Sequence, residues 1–435
     1  MDYQPAHFAT LPPPEAYDRH PLYIPENLRV EQISDTGYWI NSMSNAGWVI
    51  TEEGVVLIDS GANRPEVIQA LRRTTDKPIR YVIYTHGHGD HTFTVERYED
   101  FADADTRVLA HSLVPERLRK YEMLAAHIAR TNRVQFSGSR PNRPRAPTGQ
   151  RATARSGRKY PDTVYDGEYH FSLGGRRFDL FHARAETDDG TIVSVPDEGI
   201  VFAGDCLISS WPNLGNPYKV PRYALGWYEA LERIQRLEPR VVAPGHGQQL
   251  VTDAADIRQC LNDQIAGLRY VHDEVVRRMN DGEPLWKMIA EIHLPPELED
   301  SPWLEQSYSR VEFAVTAIWR GYGGWYDGDP SDLFAVPRAE VADTLRGLIG
   351  NDDAIVGAAR DLWSAGKRSQ GLEVLQVLLR ANPEHVEGRG LRLEFMEMLL
   401  VEDKTLMSRG TWHVFAEADR EFLAGAGENP ETTVG

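Results

Sequence analysis

The stretch IRYVIYTHGHGDH, residues 79–91, joins an apolar run to a cluster of ionisable side chains. The apolar part is typical of a buried β-strand. Directly after it come His86, His88, Asp90 and His91, separated only by glycines. Imidazole and carboxylate groups are ligands of divalent metals, and glycine lets a tight turn adopt unusual backbone dihedrals. The stretch therefore predicts a metal site at the carboxyl end of a strand.

The spacing of these four side chains favours two neighbouring metal positions. Alternate residues of an extended segment point the same way, so His86 and His88 are expected to serve one metal. Asp90 and His91 are then expected to serve a second metal close by. A solvated polar turn is the alternative, but three histidines and an aspartate directly after an apolar strand are not typical of one.

Strand-like and helix-like segments alternate around this turn. VVLIDSG and the helical PEVIQALRRTT precede it, and the strand-like runs RRFDLFHA, TIVSVPDEG, IVFAGDC and VVAPGHG follow. Strands and helices in alternation predict an α/β domain with its chemistry at the carboxyl ends of strands.

From about residue 252 onward the pattern is helical. The helices towards the C-terminus are expected to pack in pairs through their apolar faces. We therefore predict three parts, which are an extended N-terminal arm (1–35), an α/β catalytic domain (36–325) and an all-α domain of paired helices (326–435).

Composition limits the classes of partner. The formal net charge is −18, which argues against general nucleic-acid binding, and no run is apolar enough to predict a membrane span. Only Cys206 and Cys260 are cysteines, which favours a reducing compartment, so the cytoplasm is the predicted location. Residues 137–160 carry seven Arg or Lys and no acid. A surface loop and a cationic lid over an anionic substrate are both compatible with that composition.

Three later positions join the histidine turn in a family resemblance. They are Glu186 in FHARAETDDG, Asp205 in VFAGDC and His246 in APGHG, each after a strand-like run. In this order and spacing the sequence resembles the metallo-β-lactamase superfamily over roughly residues 35 to 250. The resemblance implies an αββα sandwich, in which two sheets pack face to face with helices outside.

The resemblance also implies a dinuclear zinc centre. A hydroxide held between the two ions is the expected nucleophile, because metal coordination lowers the pKa of water to about 7. Asp90 and Asp205 are the carboxylates expected to take part in catalysis. The implied ligands are His86, His88 and Glu186 for one zinc ion, Asp90, His91 and His246 for the other, and Asp205 as the bridge. His182 and Cys206 are expected to be structural.

A glutamate at position 186 is characteristic of the alkyl sulfatase branch of this superfamily. The segment GYGGWYDGDPSDLFAVPRAEVADTL resembles the junction into that branch's dimerisation domain, which implies a homodimer. The sequence departs from the branch at Asp205, where glutamate is common, and we expect no counterpart of the branch's sterol-carrier-like domain in it. These departures leave the length of the substrate's alkyl chain open.

Substrate contacts are predicted in the segment after Asp205. Asn213 and Arg222 match positions that hold the sulfate in the branch, and Lys219 is a further candidate, although lysine does not replace arginine in bidentate binding. Trp211 and Tyr223 are expected to line the pocket, with ordinary packing as the alternative.

The sequence thus predicts a metal-dependent hydrolase that cleaves a sulfate ester or a similar small anionic ester. The same centre is chemically able to hydrolyse another ester, a phosphodiester, a lactone or a β-lactam, and the fold does not choose among them. A di-iron oxidoreductase is a further alternative, because carboxylate ligands suit iron.

Overall fold

A computed structural model describes residues 28–137, 157–247, 250–334 and 336–427. Within these ranges the chain forms two compact units. The first contains residues 28–131 and 157–324, and the second contains residues 132–137 and 325–427. The predicted boundary after residue 325 lies next to this division. The predicted N-terminal arm and the basic segment lie mostly outside the described residues.

The first unit is built on two β-sheets. The larger has seven strands in sequence order, with β1 to β4 antiparallel and β4 to β7 parallel. Its strands are β1 (Val30–Gln32), β2 (Gly37–Ile40), β3 (Ala46–Ile50), β4 (Val55–Ile58), β5 (Ile79–Ile83), β6 (Arg107–His111) and β7 (Thr163–Tyr165). The smaller has five, in the order β12-β11-β10-β9-β8, and only β11 and β12 are parallel. They are β8 (Glu168–Leu173), β9 (Arg176–Ala183), β10 (Gly190–Val195), β11 (Ile200–Ile208) and β12 (Val241–His246).

The alternation of side chains along each strand builds the layers. In β4, Val56 and Ile58 belong to a core that also contains Ile200 and Phe202 of β11, so the two sheets pack face to face. Val55 and Leu57 of β4 point the other way into a second core under helices. Both faces of β4 are buried, which explains its continuous apolar run.

Helices cover the outer face of each sheet. Those of the larger sheet are α1 (Pro65–Thr74), α2 (Val95–Glu99) and α3 (Val114–Met123), and the next helix, α4 (Ala125–Gln135), continues into the second unit from residue 132. Those following the smaller sheet's strands are α5 (Ala224–Arg236), α6 (Ala254–Asn280), α7 (Leu285–Glu291), α8 (Pro296–Glu299) and α9 (Val311–Tyr322). The layers run helix, sheet, sheet, helix, so the predicted αββα sandwich is confirmed.

The second unit is helical, as predicted. Its helices are α10 (Arg338–Ile349), α11 (Asp352–Ser364), α12 (Arg368–Ala381), α13 (Val386–Glu402) and α14 (Leu406–Gly427). Helix α11 packs on α12 and α13 packs on α14, and their shared core includes Trp363 stacked on Phe395 with ring centroids 3.8 Å apart. In the described part of the chain, no helix has both the length and the apolar composition needed to cross a membrane.

Candidate metal centre

The turn after β5 is held by hydrogen bonds to its backbone. The carbonyl of Asp90 accepts from the hydroxyls of Ser60 at 2.9 Å and Ser44 at 2.6 Å. The carbonyl of His88 accepts from the backbone nitrogens of His91 and Thr92, both at 3.1 Å. These bonds coil the chain so that the ionisable side chains converge on one cleft.

The other predicted ligands come from the smaller sheet. Glu186 lies just after β9, and His246 is the last residue of β12. Asp205 was expected to follow its strand, but it lies inside β11, which continues to Ile208. Gly204 explains the difference, because its φ of +53° shifts the register of β11 and turns Asp205 into the site without ending the strand.

Four side chains form a first donor group, namely those of His86, His88, Glu186 and Asp205. One donor atom of each lies within 4.8 Å of all the others. Nε2 of His86 is 2.7 Å from Nδ1 of His88 and 3.6 Å from Oδ2 of Asp205. Nδ1 of His88 is 3.9 Å from Oε1 of Glu186. All four side chains are mostly or fully withdrawn from solvent, so a cation bound here would lose most of its water.

Asp90, His91 and His246 form a second donor group, whose donor atoms also lie within 4.8 Å of one another. Nε2 of His91 is 3.2 Å from Nε2 of His246. Asp205 reaches this group as well, with Oδ1 3.3 Å from Nε2 of His91 and Oδ2 3.4 Å from Nε2 of His246. Asp205 therefore lies between the two groups.

The seven donors fit a pair of divalent cations. Two nitrogens bound at about 2.0–2.1 Å to one tetrahedral ion lie roughly 3.3 Å apart, close to the separation between His91 and His246. Oδ1 of Asp205 is buried without a hydrogen-bond donor in the described structure, which suits an atom that binds a metal. Imidazole and carboxylate together favour zinc, iron or manganese.

Charges within the cluster shift several pKa values. Burial and the neighbouring histidines lower the pKa of both His86 and His88, which keeps these imidazoles neutral and ready to bind metal. Burial opposes protonation of His91, but nearby carboxylates outweigh it and raise the pKa of His91 to about 9. The pKa of Asp205 falls below its usual range because histidines outweigh burial. Burial raises the pKa of Glu186 to about 8, although its ion pair with Arg222 opposes the shift.

These shifts predict how the metal-free protein responds to pH. Protonated His91 stabilises the fold fully below about pH 6.5, its unfolded pKa, and this contribution is lost as the pH rises through about 9. Ionisation of Glu186, with its pKa raised to about 8, destabilises the fold over an overlapping range. With a chelator present, we expect a lower melting temperature at pH 9 than at pH 6.5, measured by calorimetry. A melting temperature that rises over this interval would contradict these pKa shifts.

Asp59 supports the second donor group and was not singled out from the sequence. Its Oδ2 lies 2.8 Å from Nδ1 of His91, and its two oxygens accept from the backbone nitrogen and hydroxyl of Thr85 at 2.8 and 2.7 Å. A carboxylate on the far nitrogen of a ligating histidine fixes its tautomer and orientation. Asp59 directly follows β4, which pairs with β5, and this placement is visible only in the folded sheet.

We expect Asp59→Asn to weaken binding of one metal ion by about 10–100-fold. An amide has one acceptor oxygen and cannot replace both carboxylate oxygens, one of which accepts from the backbone nitrogen of Thr85 while the other contacts His91. Competition with a chromogenic chelator measures the affinity. Asp105→Asn is the matched control, since Asp105 is exposed and pairs with Arg80 away from the site. Equal affinities in the two variants would show that Asp59 does not support the metal.

The predicted substrate residues lie at different depths. Arg222 pairs with Glu186 and donates to the carbonyl of Asn213 at 2.8 Å. Burial and the charge of Arg222 lower the pKa of Lys219 to about 8, which places its ammonium near the site.

Trp211, by contrast, is fully buried in the core beside the smaller sheet, a position that favours packing over substrate contact. Tyr223 lies under the guanidinium of Arg184, 4.1 Å from the ring centroid.

Two tyrosines near the centre carried no sequence signal. Burial raises the pKa of Tyr308, whose phenol interacts with Glu186, Arg222 and Asp205. The ring of Tyr121 lies 6.0 Å from that of His88. Isolated tyrosines in helical or irregular segments resemble any core tyrosine, so the sequence had no means of finding them.

His182 and Cys206 lie outside the two donor groups. The ring of His182 stacks on His111 with centroids 4.0 Å apart, and its Nε2 is 2.7 Å from the carbonyl oxygen of Asp188. Cys206 is buried in β11 next to Asp205, and burial raises the pKa of its thiol. Both positions are compatible with the structural roles that the sequence predicted.

Two family models match most of the chain. Residues 39–246 match the metallo-beta-lactamase superfamily, and residues 286–421 match the alkyl sulfatase dimerisation family. The chain is also 24% identical over 387 residues to a linear primary-alkylsulfatase of a Pseudomonas species, covering 85% of this chain and 72% of that protein. An (R)-specific secondary-alkylsulfatase of Pseudomonas is 23% identical, with 86% and 60% covered.

The fold is similar to that of a solved alkylsulfatase. The structure of the stereoselective inverting sec-alkylsulfatase Pisa1 from Pseudomonas matches with a TM-score of 0.78 at 20% identity, over 92% of this chain and 66% of that one. The chain spans 60% to 72% of the length of the curated alkylsulfatases cited above. The likeness therefore establishes a shared fold over nearly all of this chain and over part of its relatives.

Proposed function

The chain joins a metallo-β-lactamase domain to an alkyl sulfatase dimerisation domain, and from this pairing we propose that it is a metal-dependent hydrolase of sulfate esters. The observation that carries the proposal is the convergence of seven ligand-type side chains into two donor groups that share Asp205. Relatives named as alkylsulfatases align along most of this chain, which supports the choice of substrate class.

We propose two zinc ions, one held by His86, His88 and Glu186 and the other by Asp90, His91 and His246, with Asp205 shared. Bound metal ions supply a water of lowered pKa and stabilise negative charge on the attacked group. The carboxylate of Asp205 would neutralise part of the cations' charge and reaches both donor groups, since its Oδ2 lies 3.6 Å from Nε2 of His86 and its Oδ1 lies 3.3 Å from Nε2 of His91. His86, His91, Asp205 and His246 are buried, which limits the access of bulk water to the reacting atoms.

Two cationic side chains beside the metal donors suit an anionic head group. Arg222 is buried and Lys219 lies close enough for the charge of Arg222 to lower the pKa of its ammonium. Oδ1 of Asn213 accepts from the nitrogens of Gly215 at 3.4 Å and Asn216 at 3.3 Å, which orients the amide group. The amide nitrogen of Asn213 is buried with no acceptor in the described structure. We propose that Asn213, Lys219 and Arg222 bind the sulfate oxygens.

The test is metal content together with a substrate panel. The panel contains alkyl sulfates of several chain lengths, an aryl sulfate, a phosphodiester, a carboxylic ester, a lactone and a β-lactam. We expect about two metal ions per chain, given the two donor groups, and the highest kcat/KM on a sulfate ester. If the protein binds both metal ions but hydrolyses only another class of substrate, the assignment to sulfate esters is wrong and the assignment as a hydrolase stands. Elemental analysis that finds iron, with redox activity, would favour an oxidoreductase.

We also propose that the chain forms a homodimer through its second unit. Helix α10 exposes apolar side chains at helical spacing, and they are Val341, Leu345, Leu348 and Ile349. Leu348 is 80% exposed, and a stripe of this kind is typical of a helix that packs against a partner. The dimerisation family match covers this helix.

Both cysteines are free and buried, which supports the cytoplasm as the proposed location.

Leu348→Asp tests the dimer, because a carboxylate buried in an apolar interface is costly. We expect the variant to be monomeric by light scattering, with its circular dichroism spectrum unchanged. Arg338→Asp at the start of the same helix is the control and should remain dimeric. If Leu348→Asp stays dimeric, α10 is not the interface.

A further inference from the structure

Asp189 is a buried carboxylate outside the two donor groups that reaches back to the histidine turn. Its Oδ2 accepts a hydrogen bond from the backbone nitrogen of Gly87 at 3.1 Å. The same oxygen lies 2.9 Å from Nε of Arg117 in α3. The side chain of Asp189 is fully buried, and that of Arg117 is 13% exposed. A buried charge pair of this kind needs close geometry to offset the cost of desolvation.

Gly87 is the residue between His86 and His88, so the orientation of its peptide affects both imidazoles. A side chain is excluded at this position, because a Cβ on Gly87 would lie 2.7 Å from Oδ2 of Asp189 and 2.9 Å from Cδ of Arg117. The peptide therefore rests directly against the charged pair. Any shift of Asp189 is transmitted to the turn through this contact.

Helix α3 completes the support. Tyr121 follows Arg117 by one helical turn, shares a side-chain hydrogen bond with it, and places its ring 6.0 Å from that of His88. We propose that Asp189 is a positioning residue, which Arg117 holds in place and which fixes the Gly87 peptide so that His86 and His88 present their nitrogens to one metal ion. The inference rests on the proposed two-metal centre.

The neighbouring acid separates positioning from simple stabilisation. Asp188 also pairs with Arg117, but its side chain is 39% exposed and it contacts Nη2 of the guanidinium, whereas Asp189 contacts Nε. Of these two acids, it is the side chain of Asp189 that accepts a hydrogen bond from the backbone of Gly87. If the pair served stability alone, loss of either acid would act through the fold as a whole and would not distinguish the two metal ions.

The experiment titrates Co²⁺ into the metal-free full-length protein and follows its absorption spectrum. We expect Asp189→Ala to weaken one of the two cobalt equivalents by about 10–100-fold and to leave the other near its original affinity. Gly87→Ala, which pushes on the same contact without removing a charge, should weaken the same equivalent. Asp188→Ala is the matched control and should bind both equivalents as the unaltered protein does.

The outcomes are distinguishable from those that test the enzyme activity. Equal weakening of both equivalents, or no change in Asp189→Ala, would overturn the positioning role. Unaltered protein that binds fewer than two cobalt ions would overturn the metal centre and this inference together. Selective loss of one equivalent in a protein that cleaves no sulfate ester would support the positioning role and overturn only the substrate assignment.

Discussion

Asp205→Asn should lower kcat/KM on the best substrate of the panel by at least about 10³-fold. Asp205 contacts donors of both groups, with oxygens 3.6 Å from Nε2 of His86 and 3.3 Å from Nε2 of His91. An amide has nearly the same shape but no charge, and its nitrogen cannot bind a cation. The substitution therefore removes the shared anion while keeping the space filled.

A second readout separates this effect from unfolding. Without the carboxylate, His91 and His246 lose the charge that contributes most to raising their pKa values. We expect the imidazole of His91 in the metal-free variant to titrate below the value of about 9 that applies to the unaltered protein, measured by NMR. Asp300→Asn on the surface is the control. If the Asp205→Asn variant keeps full activity and binds two metal ions, Asp205 is not part of the metal centre.

Trp211→Ala should destabilise the fold by about 3–5 kcal/mol. Trp211 is fully buried among apolar side chains, and its ring would meet a Cβ placed on Gly267 of α6 at 3.3 Å. Truncation leaves a large cavity in a close-packed region, and the surroundings relax only partly. Urea unfolding of the metal-loaded protein, followed by circular dichroism, measures the change.

Trp286→Ala is the matched control, because Trp286 is 68% exposed in α7. We expect its effect on the unfolding free energy to stay within about 0.5 kcal/mol. If Trp211 instead contacts substrate through local opening, Trp211→Ala would raise KM strongly with little loss of stability. That result would support the predicted contact between Trp211 and the substrate.

Periodicity predicted the α/β character of the first unit and the helices of the second, and the family resemblance predicted the αββα layers. Val55 to Ile58 form a continuous apolar run that only a strand covered on both faces accommodates. The turn at 86–91 was predicted as a metal site from the sequence alone, because its ligand-type side chains are close together in sequence. Glu186 and His246 were found through resemblance, since single acids and histidines carry little signal alone.

Contacts between distant segments were beyond the reach of the sequence. Asp59 and Asp189 look like ordinary loop acids, and their roles follow from strands β4, β5 and β10 lying side by side or face to face. Trp211 was predicted to line the pocket because it follows Asp205 closely along the chain. Its burial depends on α6 and the segment around Glu305, whose carbonyl accepts from the backbone nitrogen of Trp211 at 2.9 Å.

His246, the last of the proposed ligands along the chain, is anchored by a segment that is translated much earlier. Nδ1 of His246 lies 2.5 Å from the carbonyl oxygen of Met43, and Nδ2 of Asn45 donates to the carbonyls of Pro244 and Gly247 at 3.0 and 2.9 Å. His91 and His246 are 155 positions apart. On the ribosome, the first sheet therefore emerges with its histidine turn exposed and incomplete. The nascent chain cannot complete its second donor group until β12 has left the exit tunnel and docked beside the loop at Met43.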